Sequence, residues 1–128
     1  MARSAFRSFA LALSVLFAPM TFGLTINDCV IEPDTRCIGV NLAHAKLSGA
    51  DLTGADLYYA NLTGAKLEHA KLLGVNLRYA NLRYANLHNA NLRHADLRHA
   101  HLFGVNLTGA SFCGTTMPMG AVNNSSCQ

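Results

Sequence analysis

Residues 78–101 read RYANLRYANLHNANLRHADLRHAH, and they gather Arg78, Arg83, Arg93 and Arg98 with Tyr79, Tyr84, His88, His94, His99 and His101. Asp96 is the only acid in that belt. Elsewhere beyond residue 23, four basic side chains face six acidic ones. Guanidinium groups among aromatic rings can hold an anionic or acidic partner through charge and cation–π contact. Histidines near an ordinary pKa of about 6.5 add positive charge in mild acid, so attraction to such a partner is expected to strengthen as pH falls. The same histidines raise the alternative of a metal site, for which His94, His99 and His101 are the set whose spacing allows convergence. Catalysis finds less support. No nucleophile lies near a base and no glycine loop has phosphate-binding form, so the expectation is a non-enzyme without a cofactor.

What positions these groups is a repeat of five. Leucine recurs at every fifth residue from Leu42 to Leu107 and is followed in the same slot by Phe112 and Met117. Two residues before each stands Ala, or Val at 40, 75 and 105 and Thr at 115. Five residues turn an α-helix by about 500°, which leaves no single apolar stripe. In a strand an odd period sends successive leucines to opposite faces. Within one block, however, Ala and Leu are two apart and point the same way when extended. A short extended piece followed by a bend, repeated with one hand, therefore makes a coil with Ala and Leu inside. Gly stands second after Leu at 49, 54, 64, 74, 104, 109 and 114, where a type II turn needs φ > 0. Tyr59, His69, Tyr79, Tyr84, His94 and His99 hold that slot elsewhere, which predicts a second turn type beside the first.

The run VNLAHAKLSGADLTGADLYYANLTGAKL, and its continuation to Phe112, resembles the pentapeptide-repeat family with its A(D/N)LXX consensus. The resemblance implies an all-β fold, a right-handed quadrilateral β-helix with four blocks to a coil. Residues 20 apart then stack, and the sixteen blocks of residues 40–119 make about four coils with fourteen buried leucines. Asp51, Asp56 and Asp96 fall in the consensus Asp/Asn slot and call for no catalytic role. With the interior filled, function is expected on outward positions. Read 20 apart, the face centred on Leu57, Leu77 and Leu97 carries Tyr58, Arg78 and Arg98 beside Tyr59, Tyr79 and His99, and these six are the candidate partner-binding residues. Stacking Arg78 on Arg98 is mildly unfavourable and favours a partner that neutralises them. Leu73 and Phe103 are single exposed apolar positions. Acidic family members that resemble duplex DNA and act on topoisomerases are a poor guide to this nearly neutral chain, and no nucleic-acid partner is expected. Thr53, Thr63 and Thr108 form no regular array of the kind ice binding wants.

The ends carry different signals. Arg3 and Arg7 precede the apolar run FALALSVLFA, then Pro19, Thr21 and Gly23, the pattern of a secretory leader. The run is too short to span a bilayer, which takes about 20 apolar residues. Residues 1–23 are therefore expected to be removed, leaving a bacterial protein in the periplasm or secreted, without stable membrane insertion. Its partner would be a protein or an anionic envelope component, and its role a binding or structural scaffold. Four cysteines lie beyond the leader, where disulfides form. Of three connectivities, Cys29–Cys37 and Cys113–Cys127 close the shortest loops and would staple an N-terminal cap at 24–39 and a C-terminal cap or tail at 120–128.

Overall fold

A computed structural model describes residues 23–128. All of the expected leader except Gly23 lies outside them. Among the described residues there is no helix, and so none long and apolar enough to cross a membrane. Regular strands are confined to the ends. β1 (Leu24–Ile26) and β2 (Cys29–Ile31) form an antiparallel hairpin, as do β3 (Thr115–Thr116) and β4 (Val122–Asn123).

Between the hairpins, each block contributes one-residue parallel bridges, always to the residue 20 positions away. They form four series, beginning Arg36–Asp56, Asn41–Asn61, Lys46–Lys66 and Asp51–Lys71. The blocks are thus too short to be strands, yet their backbone groups are paired from one coil to the next, as buried polar groups must be. Leu57 N–H donates to the Asn76 carbonyl at 2.8 Å, and Asn76 N–H donates to the Ala55 carbonyl at 2.9 Å. Each bend closes on itself, as where Ala60 N–H donates to the Leu57 carbonyl at 3.0 Å. The consensus Asp/Asn supports the bend from outside. Oδ1 of Asp51, Asn61, Asn76, Asn91 and Asp96 accepts the backbone N–H two residues on, an Asx turn that Lys or His cannot make.

At the second bend position, glycine and non-glycine residues share one backbone feature. Tyr59, His69, Tyr79, Tyr84, His94 and His99 have φ between 59° and 61°, close to the 64–72° of the glycines in the same slot from Gly49 to Gly114. All of them share a positive, left-handed φ. For a non-glycine residue it costs about 1–2 kcal/mol. The ladder hydrogen bonds on both sides of the bend over-determine the backbone and hold it there.

Twelve leucines, Leu42 to Leu97, are at most 1% exposed, and the alanines between them line the same core. The expected count of fourteen is corrected by Leu102 and Leu107, which are only partly buried. The two ends explain the difference. At the N-terminal end, Cys29 and Ile31 of β2 join the leucine core, so the hairpin closes it. At the other end no further coil follows residues 100–112. The tail returns along the chain's own last turn, with Ser126 N–H donating to the Phe112 carbonyl and Gly114 N–H to Asn124 Oδ1, and leaves the end of the Leu102–Leu107 layer uncovered. Disulfides join Cys29 to Cys37 and Cys113 to Cys127, with Cα atoms 5.5 and 4.8 Å apart.

Candidate partner-binding face

Because every fifth residue returns to the core and every twentieth to the same column, Tyr59, Tyr79 and His99 meet on the outside. The left-handed bend aims each side chain toward the following coil. Tyr59 and Tyr79 stack with centroids 5.0 Å apart and planes 11° from parallel, and Tyr79 and His99 stack at 4.6 Å and 20°. Tyr58 packs edge-on against both tyrosines, at 4.7 and 5.7 Å. The structure therefore brings all three candidate tyrosines and His99 into one ladder. Tyr59, at its lower end, is 56% exposed.

The arginines are held differently from the expectation that their repulsion awaits an outside partner. Asp96 stands between them. Its carboxylate accepts from Arg98 Nε at 3.0 Å and from Arg98 Nη2, and it lies 4.0 Å from Arg78 Nε. Arg78 Nε is shielded from solvent without a hydrogen-bond partner, and its guanidinium sits 5.7 Å from the Tyr58 centroid. Hydrogen bonding from Arg98 is the main cause that holds the Asp96 carboxyl below the usual carboxylate range, and the same contact raises Arg98. Arg83 and Arg93 make no ion pair among the described residues. Arg83 instead lies 6.0 Å from the Tyr84 ring and 5.6 Å from that of Phe103.

At the upper end of the ladder, Arg98 and His99 border an open depression of about 460 Å³ with Pro118, Met119 and Gly120 as its other wall. These three residues, and Asp96, were not among the candidates. Met119 was legible in principle, since it continues the 59, 79, 99 column by another 20. The metal alternative fares poorly. His94, His99 and His101 form no ligand set, and no group of three or more His, Cys, Asp or Glu comes together among the described residues. His44 lies over Gly64 and His94 over Gly114, each filling the space above a glycine.

The pentapeptide-repeat family model, in eight copies, matches four overlapping stretches that run from residue 35 to residue 117. Among solved structures, the pentapeptide repeat protein alr5209 of Nostoc is 44% identical over 56% of this chain and 59% of its own, with a TM-score of 0.55. Rfr23 of Cyanothece is 36% identical, covering 62% and 58%, with a TM-score of 0.42. HetL of Nostoc, involved in heterocyst differentiation regulation, is 30% identical, covering 77% and 57%, with a TM-score of 0.38. The chain thus spans less than three fifths of the length of each. No curated protein matches it significantly. Coils bridged at 20 residues, an interior of leucine and alanine and a family match over most of the chain lead to one conclusion: the protein belongs to the pentapeptide-repeat family, whose members form right-handed β-helices.

Proposed function

We propose that the protein is an exported, non-catalytic scaffold whose face at Tyr58, Tyr59, Arg78, Tyr79, Arg98 and His99 docks a protein or an anionic component of the bacterial envelope. In this reading residues 1–23 are a cleaved leader, 24–39 and 120–128 cap the two ends, and 40–119 form a quadrilateral solenoid of about four coils. The four bridge series, each stepping by 20 residues, support that cross-section. The observation that carries the docking reading is the ladder Tyr59–Tyr79–His99, which presents a rigid aromatic edge and ends beside the depression at Arg98. Stacked rings cost little side-chain entropy when a partner settles on them. Asp96 offsets part of the positive charge, while Arg83 and Arg93 keep the belt basic. Two disulfides suit an oxidising compartment and support export.

The test is retention of envelope extract and of vesicles containing anionic lipid on immobilised protein at about pH 5.5 and about pH 7.5. An Arg78→Glu, Arg98→Glu double variant, checked for native circular dichroism, serves as comparison. Binding that is stronger in acid and lost in the variant supports the reading. Equal recovery by both folded proteins refutes it and leaves the ladder as a covering of the solenoid wall.

A further inference from the structure

Arg83, His88, Arg93 and Arg98 occupy one equivalent position in four successive bends. Each backbone N–H donates to Oδ1 of the residue two before it, and those acceptors, Asn81, Asn86, Asn91 and Asp96, belong to the four different bridge series. The coil from 81 to 98 thus carries a basic or protonatable side chain in every series. The neighbouring coils do not. The same positions one coil below are Thr63, Glu68, Leu73 and Arg78, and one coil above they are Phe103, Thr108, Cys113 and Pro118.

Charge also changes in steps along the solenoid. Residues 24–68 hold six acids against three Lys or Arg, residues 69–98 hold five Lys or Arg against one acid, and residues 99–128 hold none of these. The charge-free stretch exposes apolar surface instead. Phe103 is 66% exposed, Val122 57% and Met119 99%, and Leu102, Val105 and Leu107 are only partly buried. A ring of cations therefore stands one coil, about 4.8 Å, below an uncharged apolar end.

We propose that the C-terminal end docks on an anionic lipid bilayer, with the solenoid standing end-on and Arg83, His88, Arg93 and Arg98 at the level of the lipid phosphates. Geometry selects this partner. A partner lying along one side meets one or two members of the ring, whereas a plane across the axis meets all four at once. The step in charge orients the chain the same way, since an anionic surface repels the acidic end and attracts the basic coil. Seating the ring among the phosphates immerses the end by about one coil, close to the ~5–10 Å depth of interfacial anchors. The last coil's own backbone limits it to this depth. The N–H groups of Leu102, Gly104, Leu107 and Gly109 have no partner among the described residues and need water or phosphate oxygen, which the hydrocarbon core does not supply. The contact is therefore peripheral and reversible. It shares Arg98 with the face at Tyr59–His99 but does not depend on that face.

The experiment is co-sedimentation of protein purified from cells producing the full chain. The vesicles are equal parts phosphatidylglycerol and phosphatidylcholine, or phosphatidylcholine alone. Binding to the anionic vesicles is expected, and its loss between about 0.1 M and about 1 M salt as the Debye length contracts from about 10 Å to about 3 Å. Arg83→Gln with Arg93→Gln, both off the Tyr59–His99 face, should weaken it roughly 20-fold, about fivefold for each arginine. Tyr59→Ala, which damages that face, should bind vesicles as the native chain does, so failure of one surface is separable from failure of the other. The chain has no tryptophan, so a single introduced one reports depth. Phe103→Trp should be quenched by brominated lipid and Tyr59→Trp should not. Absence of binding, or binding indifferent to Arg83 and Arg93, overturns the proposal. Quenching of Tyr59→Trp instead of Phe103→Trp does so too, because it lays the solenoid on its side. The same holds for a blue shift of Phe103→Trp emission without vesicles as protein concentration rises, which would mean that another protein surface covers this end.

Discussion

Gly64 and Gly74 occupy equivalent bends with almost the same backbone, φ 64° and 66°, and differ in what lies above them. A Cβ at Gly74 meets nothing within 4 Å, whereas one at Gly64 falls 2.5 Å from His44 Nδ1 and 2.7 Å from His44 Cε1. Gly74→Ala should therefore show the conformational cost alone. The left-handed penalty of about 1–2 kcal/mol is reduced by the 0.4–1 kcal/mol that a less flexible unfolded chain returns, leaving about 1 kcal/mol of destabilisation. Gly64→Ala must also displace the His44 ring. Because that ring is exposed it can swing away, so the addition is about 1 kcal/mol, at the low end for an overpacked site. In a His44→Gly background the extra term should vanish, giving a coupling of about 1 kcal/mol in a double-mutant cycle. Urea unfolding followed by far-ultraviolet circular dichroism measures all five proteins. Equal costs for the two alanine substitutions, or an unchanged cost of Gly64→Ala when His44 is absent, would refute the claim that the bend at Gly64 is filled by the His44 side chain of the preceding coil.

Two further outcomes follow from the core and from the arginine clamp. Leu77→Ala, between fully buried layers, should cost about 3 kcal/mol, while Leu107→Ala at the uncovered end should cost about 1 kcal/mol when unfolding is measured at low protein concentration; equal costs would contradict the open end. Asp96 has a folded pKa below its unfolded value, so its contribution is present above about pH 4 and is lost as pH falls through the folded pKa. Asp96→Asn should accordingly be less stable than the native protein at pH 7 and converge on it in strong acid, and a constant gap in thermal midpoint across that range would show that Asp96 owes its effect to something other than charge.

The repeat made the interior readable. Leucine at every fifth position and alanine two before it correspond directly to the buried residues from Leu42 to Leu97, because inward direction is a local property of each block. The stacking of Tyr59, Tyr79 and His99 was legible for the same reason once the step of 20 was assumed. The positive φ at tyrosine and histidine is not legible from those residues' own preference, because the hydrogen bonds of neighbouring coils impose it. The sequence shows Asp96 as a consensus residue and the only acid of the belt, but not as a clamp between two arginines. Its second contact, toward Arg78, joins residues 18 apart and depends on how far two long side chains reach. The uncovered end was hidden because the five-residue period continues through Leu107 and Phe112. Only the path of the tail, back along its own turn, determines that nothing lies over them.

The spacing of the bridges sets two different counting rules for the evolution of this molecule. An inserted or deleted block of five keeps every downstream leucine facing inward, so the core tolerates it. Surface neighbours are paired at 20, and the same change advances everything after it by one column. Removing the block 86–90, for example, would place residue 104 rather than His99 over Tyr79, ending the aromatic ladder in a glycine. Drift in block number therefore preserves the inward pattern of the core while reshuffling which side chains meet, and a composite surface survives only when whole coils are gained or lost.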